Sequence, residues 1–145
     1  MDGTVRTIES SASPDRVYAV AADFARYPEW TSAVRDVEVL EHDDEGRATR
    51  ARFVVEAMVK RITYVLRYTY EDGAFGWEAE PGDDIKAMEG RYEFKPLDGG
   101  GTEIVYALKV EPAFSVPGFL RKQAEKQIVG AALRDLKREA EQAPA

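Results

Sequence analysis

At 145 residues, 44% hydrophobic and 32% charged, the chain has the size and balance of a single globular domain spanning 1–145. Its 27 acidic against 20 basic residues leave a net charge of −7, which argues against a nucleic-acid partner, because phosphate backbones require concentrated positive charge. The absence of cysteine excludes thiol catalysis, thiolate zinc sites, iron–sulfur clusters and disulfide frameworks.

A chain this long buries roughly 70% of its unfolded surface and needs no metal or disulfide staple. No apolar run approaches the ~20 residues that span a bilayer. The start, Met1-Asp2-Gly3-Thr4, has neither the basic residues nor the apolar stretch of a signal peptide, so a cytoplasmic location is expected.

In chain order, Val5–Ser10 reads as a strand. Ser13-Pro14-Asp15 is a helix start, with Ser13 as cap and Pro14 at the first helical position. The helix runs over Asp15–Ala22. A second helical stretch, Phe24 to about Val34, is expected to break near Pro28.

From Val34 the period changes to two. Val37 and Val39 open the pattern, and the turn Asp43-Asp44-Glu45-Gly46 follows. Ala51, Phe53 and Val55 come next, then a turn near Val59–Lys60. Ile62, Tyr64, Leu66, Tyr68 and Tyr70 form an unbroken stripe up to the hairpin signal Glu71-Asp72-Gly73. Phe75, Trp77 and Ala79 end at Pro81-Gly82-Asp83-Asp84. Met88, Gly90, Tyr92 and Phe94 lead to Pro96 and the Asp98–Gly101 turn, and Thr102 to Val110 is the last strand.

Short connections make these strands an antiparallel meander, apolar on one face. The cover is a C-terminal helix starting at Pro117 and running to about Glu141, long enough at ~36 Å to cross a sheet. Its apolar stripe is read as Leu120, Ala124, Ile128, Ala132 and Leu136, with Val129 and Leu133 alongside. Gly130, Ala131 and Ala132 make its middle thin. The class is therefore α+β.

Aromatic residues crowd the inward stripe, and five of them are tyrosines: Tyr64, Tyr68, Tyr70, Tyr92 and Tyr106. A buried hydroxyl needs a partner. Two arrangements satisfy this pattern: a filled core with tyrosines at its rim, or a cavity holding a ligand with a few polar atoms.

Catalytic signals are sparse. His42, the sole histidine, stands beside Asp43, Asp44 and Glu45 at a turn and reads as solvated; no metal site is expected. Gly99-Gly100-Gly101 reads as a hairpin, not a phosphate loop. Arg50, Arg52, Glu56, Arg67, Glu78 and Glu80 fall on the polar sheet face as cross-strand ion pairs, unless a one-residue register slip turns them inward. Six acids and no Lys or Arg lie between Glu71 and Asp84, and six Lys/Arg against two acids lie between Arg121 and Arg138. An acidic hairpin and a solvated helix face account for both; the alternative is a basic face meeting an acidic head group or anionic surface.

Several stretches together resemble one known group. They are Ala12-Ser13-Pro14-Asp15-Arg16-Val17-Tyr18, Ala22-Asp23-Phe24-Ala25-Arg26-Tyr27-Pro28-Glu29-Trp30, Tyr64-Val65-Leu66-Arg67-Tyr68, the strand of Trp77, Gly90-Arg91-Tyr92-Glu93-Phe94 and Gly101-Thr102-Glu103. In this order they are similar to the START/Bet v 1-like (SRPBCC) helix-grip superfamily, in its bacterial polyketide cyclase/dehydrase and coenzyme-Q-binding branch. The resemblance covers nearly the whole chain. It implies a seven-stranded curved antiparallel sheet gripping the C-terminal helix, with two short helices after the first strand and a hydrophobic tunnel between sheet and helix.

The expected partner is a small hydrophobic molecule such as a lipid, quinone or polyketide. No cofactor is expected, and a protein partner is not identified. Candidate ligand-binding residues on the sheet are Phe53, Tyr64 and Tyr68, then Trp77, Met88, Tyr92 and Tyr106. Trp30 joins them from the short helices, with Ala124 and Ile128 from the long one. The resemblance places the mouth near Pro112–Phe119, Pro81–Ile85 and Trp30, where Phe114 and Phe119 would form a lid or a rim for transient membrane contact, or simply pack the helix end.

Cyclase-like relatives use an Arg and tyrosines to polarise a carbonyl, a role open here to Tyr64, Tyr68, Tyr92 and Tyr106. No base can be placed beside them, so binding is the leading reading. A cyclase/dehydratase and a protein- or membrane-docking module are the alternatives.

Overall fold

A computed structural model describes residues 3–57 and 60–142. The turn read at Val59–Lys60 falls partly outside them. The elements in order are β1 (Thr4–Ser10), α1 (Pro14–Ala22), a single 3-10 turn (Phe24–Arg26), α2 (Tyr27–Trp30), β2 (Val34–His42), β3 (Ala48–Ala57), β4 (Lys60–Glu71), β5 (Ala74–Ala79), β6 (Ile85–Pro96), β7 (Thr102–Pro112) and α3 (Gly118–Glu141).

The strands form one seven-stranded antiparallel sheet in the order β1-β7-β6-β5-β4-β3-β2. Each strand from β2 to β6 pairs with its successor, as short loops require. Period two decides which side chains share a face. Phe53 pairs with Tyr64, Tyr68 with Trp77, Phe75 with Tyr92, and Tyr92 with Tyr106, so the aromatic stripe becomes one continuous inner surface.

The outer face carries the charges in the register expected. Glu80 accepts from Arg50 at 2.7 Å and from Arg67 at 2.8 Å. Within the acidic stretch, Glu71 lies against Arg91 and Asp84 against Lys60. His42 is exposed at the end of β2, and no metal-binding group of acids and histidine exists among the described residues.

Two glycines have specific tasks. Gly73 turns the β4–β5 hairpin at φ 71°, the left-handed region that other residues resist. Gly90 faces Trp77 across the β5–β6 pair, and a β-carbon there would overlap the indole ring. The missing side chain makes room for the largest aromatic of the inner face.

Ser13 caps α1 by accepting from the Arg16 N–H at 3.2 Å, with Pro14 at the first helical position. Pro28 stands beside the expected break in the second helical stretch, where the 3-10 turn ends at Arg26 and α2 begins at Tyr27. It occupies the first turn of α2, where no N–H is needed, and the helix closes at Thr31, whose N–H donates to the Tyr27 carbonyl at 2.9 Å.

The long helix keeps the inward positions read at Val129, Leu133 and Leu136, and departs from its sequence reading toward the N-terminal end, at Leu120 and Ala124. Its buried positions are Glu125, Val129, Leu133, Asp135, Leu136 and Ala140, while Leu120 and Ile128 are exposed. A four-residue spacing advances ~40° beyond a full turn, so a stripe from Leu120 to Leu136 drifts ~160° around the helix and cannot all face inward. Polar anchors set the phase instead. Glu125 accepts from Thr4 Oγ1 at 2.6 Å and from the Val110 N–H at 3.0 Å. Lys122 donates to the Gly3 carbonyl at 2.7 Å and Lys137 to the Glu9 carbonyl at 2.8 Å. Glu141 accepts from Ser10 Oγ at 2.9 Å and from the Ser11 N–H at 3.0 Å. Part of the basic run thus fastens helix to backbone.

Candidate ligand cavity

Between the inner sheet face, the α2–β2 connection and the middle of α3 lies a cavity of about 170 Å³. Phe24 and Tyr27 enter from the 3-10 turn and α2, and Phe24 stacks on Tyr68 with ring centroids 4.1 Å apart. Deeper in, Tyr92 and Tyr106 lie 4.4 Å apart, with Trp77 at 5.6 Å from each. Ala131 and Ala132 form the opposing wall, where short side chains leave the space open. The exposed wall residues are Ser32, Ala33, Glu56 and Ile128. They place the opening between the α2–β2 loop, the end of β3 and the middle of α3.

Hydroxyl groups divide into two sets. Tyr18 donates to the Ala74 carbonyl at 3.1 Å, Tyr27 to Ala21, and Tyr70 to Ala48. Tyr64, Tyr68, Tyr92 and Tyr106 line the cavity and have no hydrogen-bond partner among the described residues. No described polar side-chain atom is sealed in the core without a partner, so these four hydroxyls reach the cavity rather than dry protein. Burial pushes the pKa of each upward, in Tyr92 reinforced by Tyr27 and Asp135. All four therefore stay protonated and can donate.

Asp135 is the one buried carboxylate on the wall, 7% exposed. It accepts from the Ser32 N–H at 2.9 Å and Ser32 Oγ at 3.0 Å, and its other oxygen pairs with Arg138 at 3.2 Å. Arg138 also donates to the Trp30 carbonyl at 2.9 Å. Together these bonds pin the α2–β2 loop to α3 beside the opening.

Of the candidate residues, Trp30, Phe53, Tyr64, Tyr68, Trp77, Met88, Tyr92, Tyr106 and Ile128 come together on this wall. Phe114, Phe119 and Ala124 do not. Phe114 packs against the core under Lys60, whose Nζ is 4.5 Å from the ring centroid. Phe119 is 74% exposed, and Ala124 sits one turn before Ile128, beyond the cavity's end. The opening correspondingly lies away from Pro112–Phe119, and of the Pro81–Ile85 loop only Ile85 reaches the wall. Phe24, Tyr27, Ser32 and Asp135 are wall residues that sequence reasoning missed. A signal for Asp135 existed: it falls between Leu133 and Leu136 on the helix stretch richest in buried positions.

A curved antiparallel sheet closed by a long C-terminal helix over an aromatic cavity defines a START-like helix-grip protein. The chain belongs to the polyketide cyclase/dehydrase and lipid transport family, whose model matches residues 10–137. Among solved structures it is similar to a START superfamily protein from Mycobacterium smegmatis, with a TM-score of 0.90, 23% identity and 97% of each chain covered. An aromatase/cyclase from a Streptomyces species gives a TM-score of 0.80 at 19% identity, covering 97% of this chain and 93% of that one. A STAR-related lipid transfer protein from Xanthomonas axonopodis gives 0.71 at 21% identity, covering 95% and 85%. No curated protein sequence matches the chain. Among the described residues no helix is long and apolar enough to cross a membrane.

Proposed function

We propose that this protein reversibly binds a compact, largely apolar small molecule in the cavity between sheet and α3. One observation carries the reading: the hydroxyls of Tyr64, Tyr68, Tyr92 and Tyr106 open into an apolar cavity of about 170 Å³ with no described protein partner. A core built only for stability would fill that space and replace those tyrosines with Phe. An engineered cavity of about 150 Å³ holds benzene. The volume here thus fits one or two rings bearing oxygen acceptors better than a sterol or a long acyl chain.

A cyclase or dehydratase in the same cavity is the second reading. Asp135 favours it as a carboxylate beside the tyrosines, but both positions on Oδ2 are taken by Ser32 and one on Oδ1 by Arg138. What remains for a general base is a single Oδ1 position beside the Arg138 guanidinium, so binding is the better-supported function.

Native mass spectrometry with solvent extraction of the protein from its own host tests this. A co-purifying small molecule, lost when Ala132→Phe fills the wall, is the expected result. A protein that arrives empty and fails to bind a panel of aromatic polyketides, quinones and fatty acids rejects it.

A further inference from the structure

The cavity wall is one-sided in charge. No Lys, Arg or His is among the described residues that form it, and its two ionisable carboxyl groups are Asp135 and Glu56. Glu56 lies at the exposed lip, with Arg35 and Arg61 each 3.5 Å away on the solvent side. Asp135 lies inside, and its partner Arg138 is mostly exposed.

The remaining described surface offers an anion no cationic side chain. Ring faces of Phe, Tyr and Trp carry negative quadrupole density, which attracts cations and disfavours anions. A hydroxyl donor satisfies a carbonyl or ether oxygen. It does not compensate a full negative charge taken out of water beside a carboxylate.

Building on the binding reading above, we propose that the cavity selects its ligand by charge as well as size. It admits compact aromatic molecules that are neutral or carry an amine, and it rejects the same ring carrying a carboxylate. Free fatty acids and other organic anions are then not its cargo.

Calorimetric titration of the full chain at neutral pH with naphthylmethanol, naphthylmethylamine and naphthoate tests this. The alcohol and the amine are expected to bind, with naphthoate weaker by at least about tenfold. Asp135→Asn is expected to narrow that gap, and Glu56→Gln to narrow it less. If Asp135→Asn does not fold, the wild-type series alone decides. Naphthoate binding as tightly as the alcohol overturns charge selection and leaves the binding reading standing. Binding by none of the three removes the binding reading, and charge selection falls with it.

Discussion

Individual side chains decide where space is left and where it is filled. Trp77 lies over Gly90, so Gly90→Ala forces the indole out of its place. The expected cost is about 1–3 kcal/mol in urea unfolding, whereas an unchanged midpoint would mean that the ring does not rest there. Tyr106 has a hydroxyl without a described protein partner, so Tyr106→Phe should leave unliganded stability within about 0.5 kcal/mol. The same change should weaken a ligand that accepts from it by about 1 kcal/mol, read by calorimetry. Loss of stability with unchanged affinity would assign Tyr106 to the core instead. The tyrosine stripe was legible in the sequence because period two is unambiguous over five residues from Ile62 to Tyr70. Its emptiness was not, since volume depends on what α3 brings opposite.

At the scale of elements, the strands were readable nearly residue by residue, and α3 was readable in extent but only in part in phase. Hydrophobic spacing along it is ambiguous because Leu120 mimics an inward position while Glu125 and Asp135 look like surface acids. Buried acids accepting backbone and hydroxyl donors leave no hydropathy signature. Glu125→Ala strands Thr4 Oγ1 and the Val110 N–H. A loss of about 3 kcal/mol is expected by chemical denaturation; a near-neutral effect would show that the anchor does not set the helix position.

The far end of α3 is held by Glu141, whose pKa is lowered to about 2, first by Lys137 and then by the Ser11 N–H and Ser10. A depressed folded-state pKa means that the unfolded chain binds the proton first. The stability from Glu141 is therefore complete above the ordinary glutamate range and is lost as pH falls toward 2. Measured unfolding midpoints of wild type and Glu141→Gln should converge over that fall. A constant difference across it would remove Glu141 from the acid response.

Across the whole molecule, the cavity sets stability against function. At ~24 cal/mol per Å³, an empty volume of about 170 Å³ costs roughly 4 kcal/mol against a filled core. Such a cost is retained where the space is used. The fold class and most of the wall followed from strand pairing and were readable from composition and order. Of the opening only the Trp30 side was legible, because the rest depends on the Asp135–Ser32 and Arg138–Trp30 bonds between segments roughly a hundred residues apart. The most direct test of a ligand-binding cavity is NMR titration of the isotope-labelled protein with naphthol. The structure predicts saturable shifts at Tyr68, Tyr92, Tyr106 and Ala131 that vanish in Ala132→Phe. Shifts confined to the exposed Phe119 surface, or no shifts at all, would contradict it.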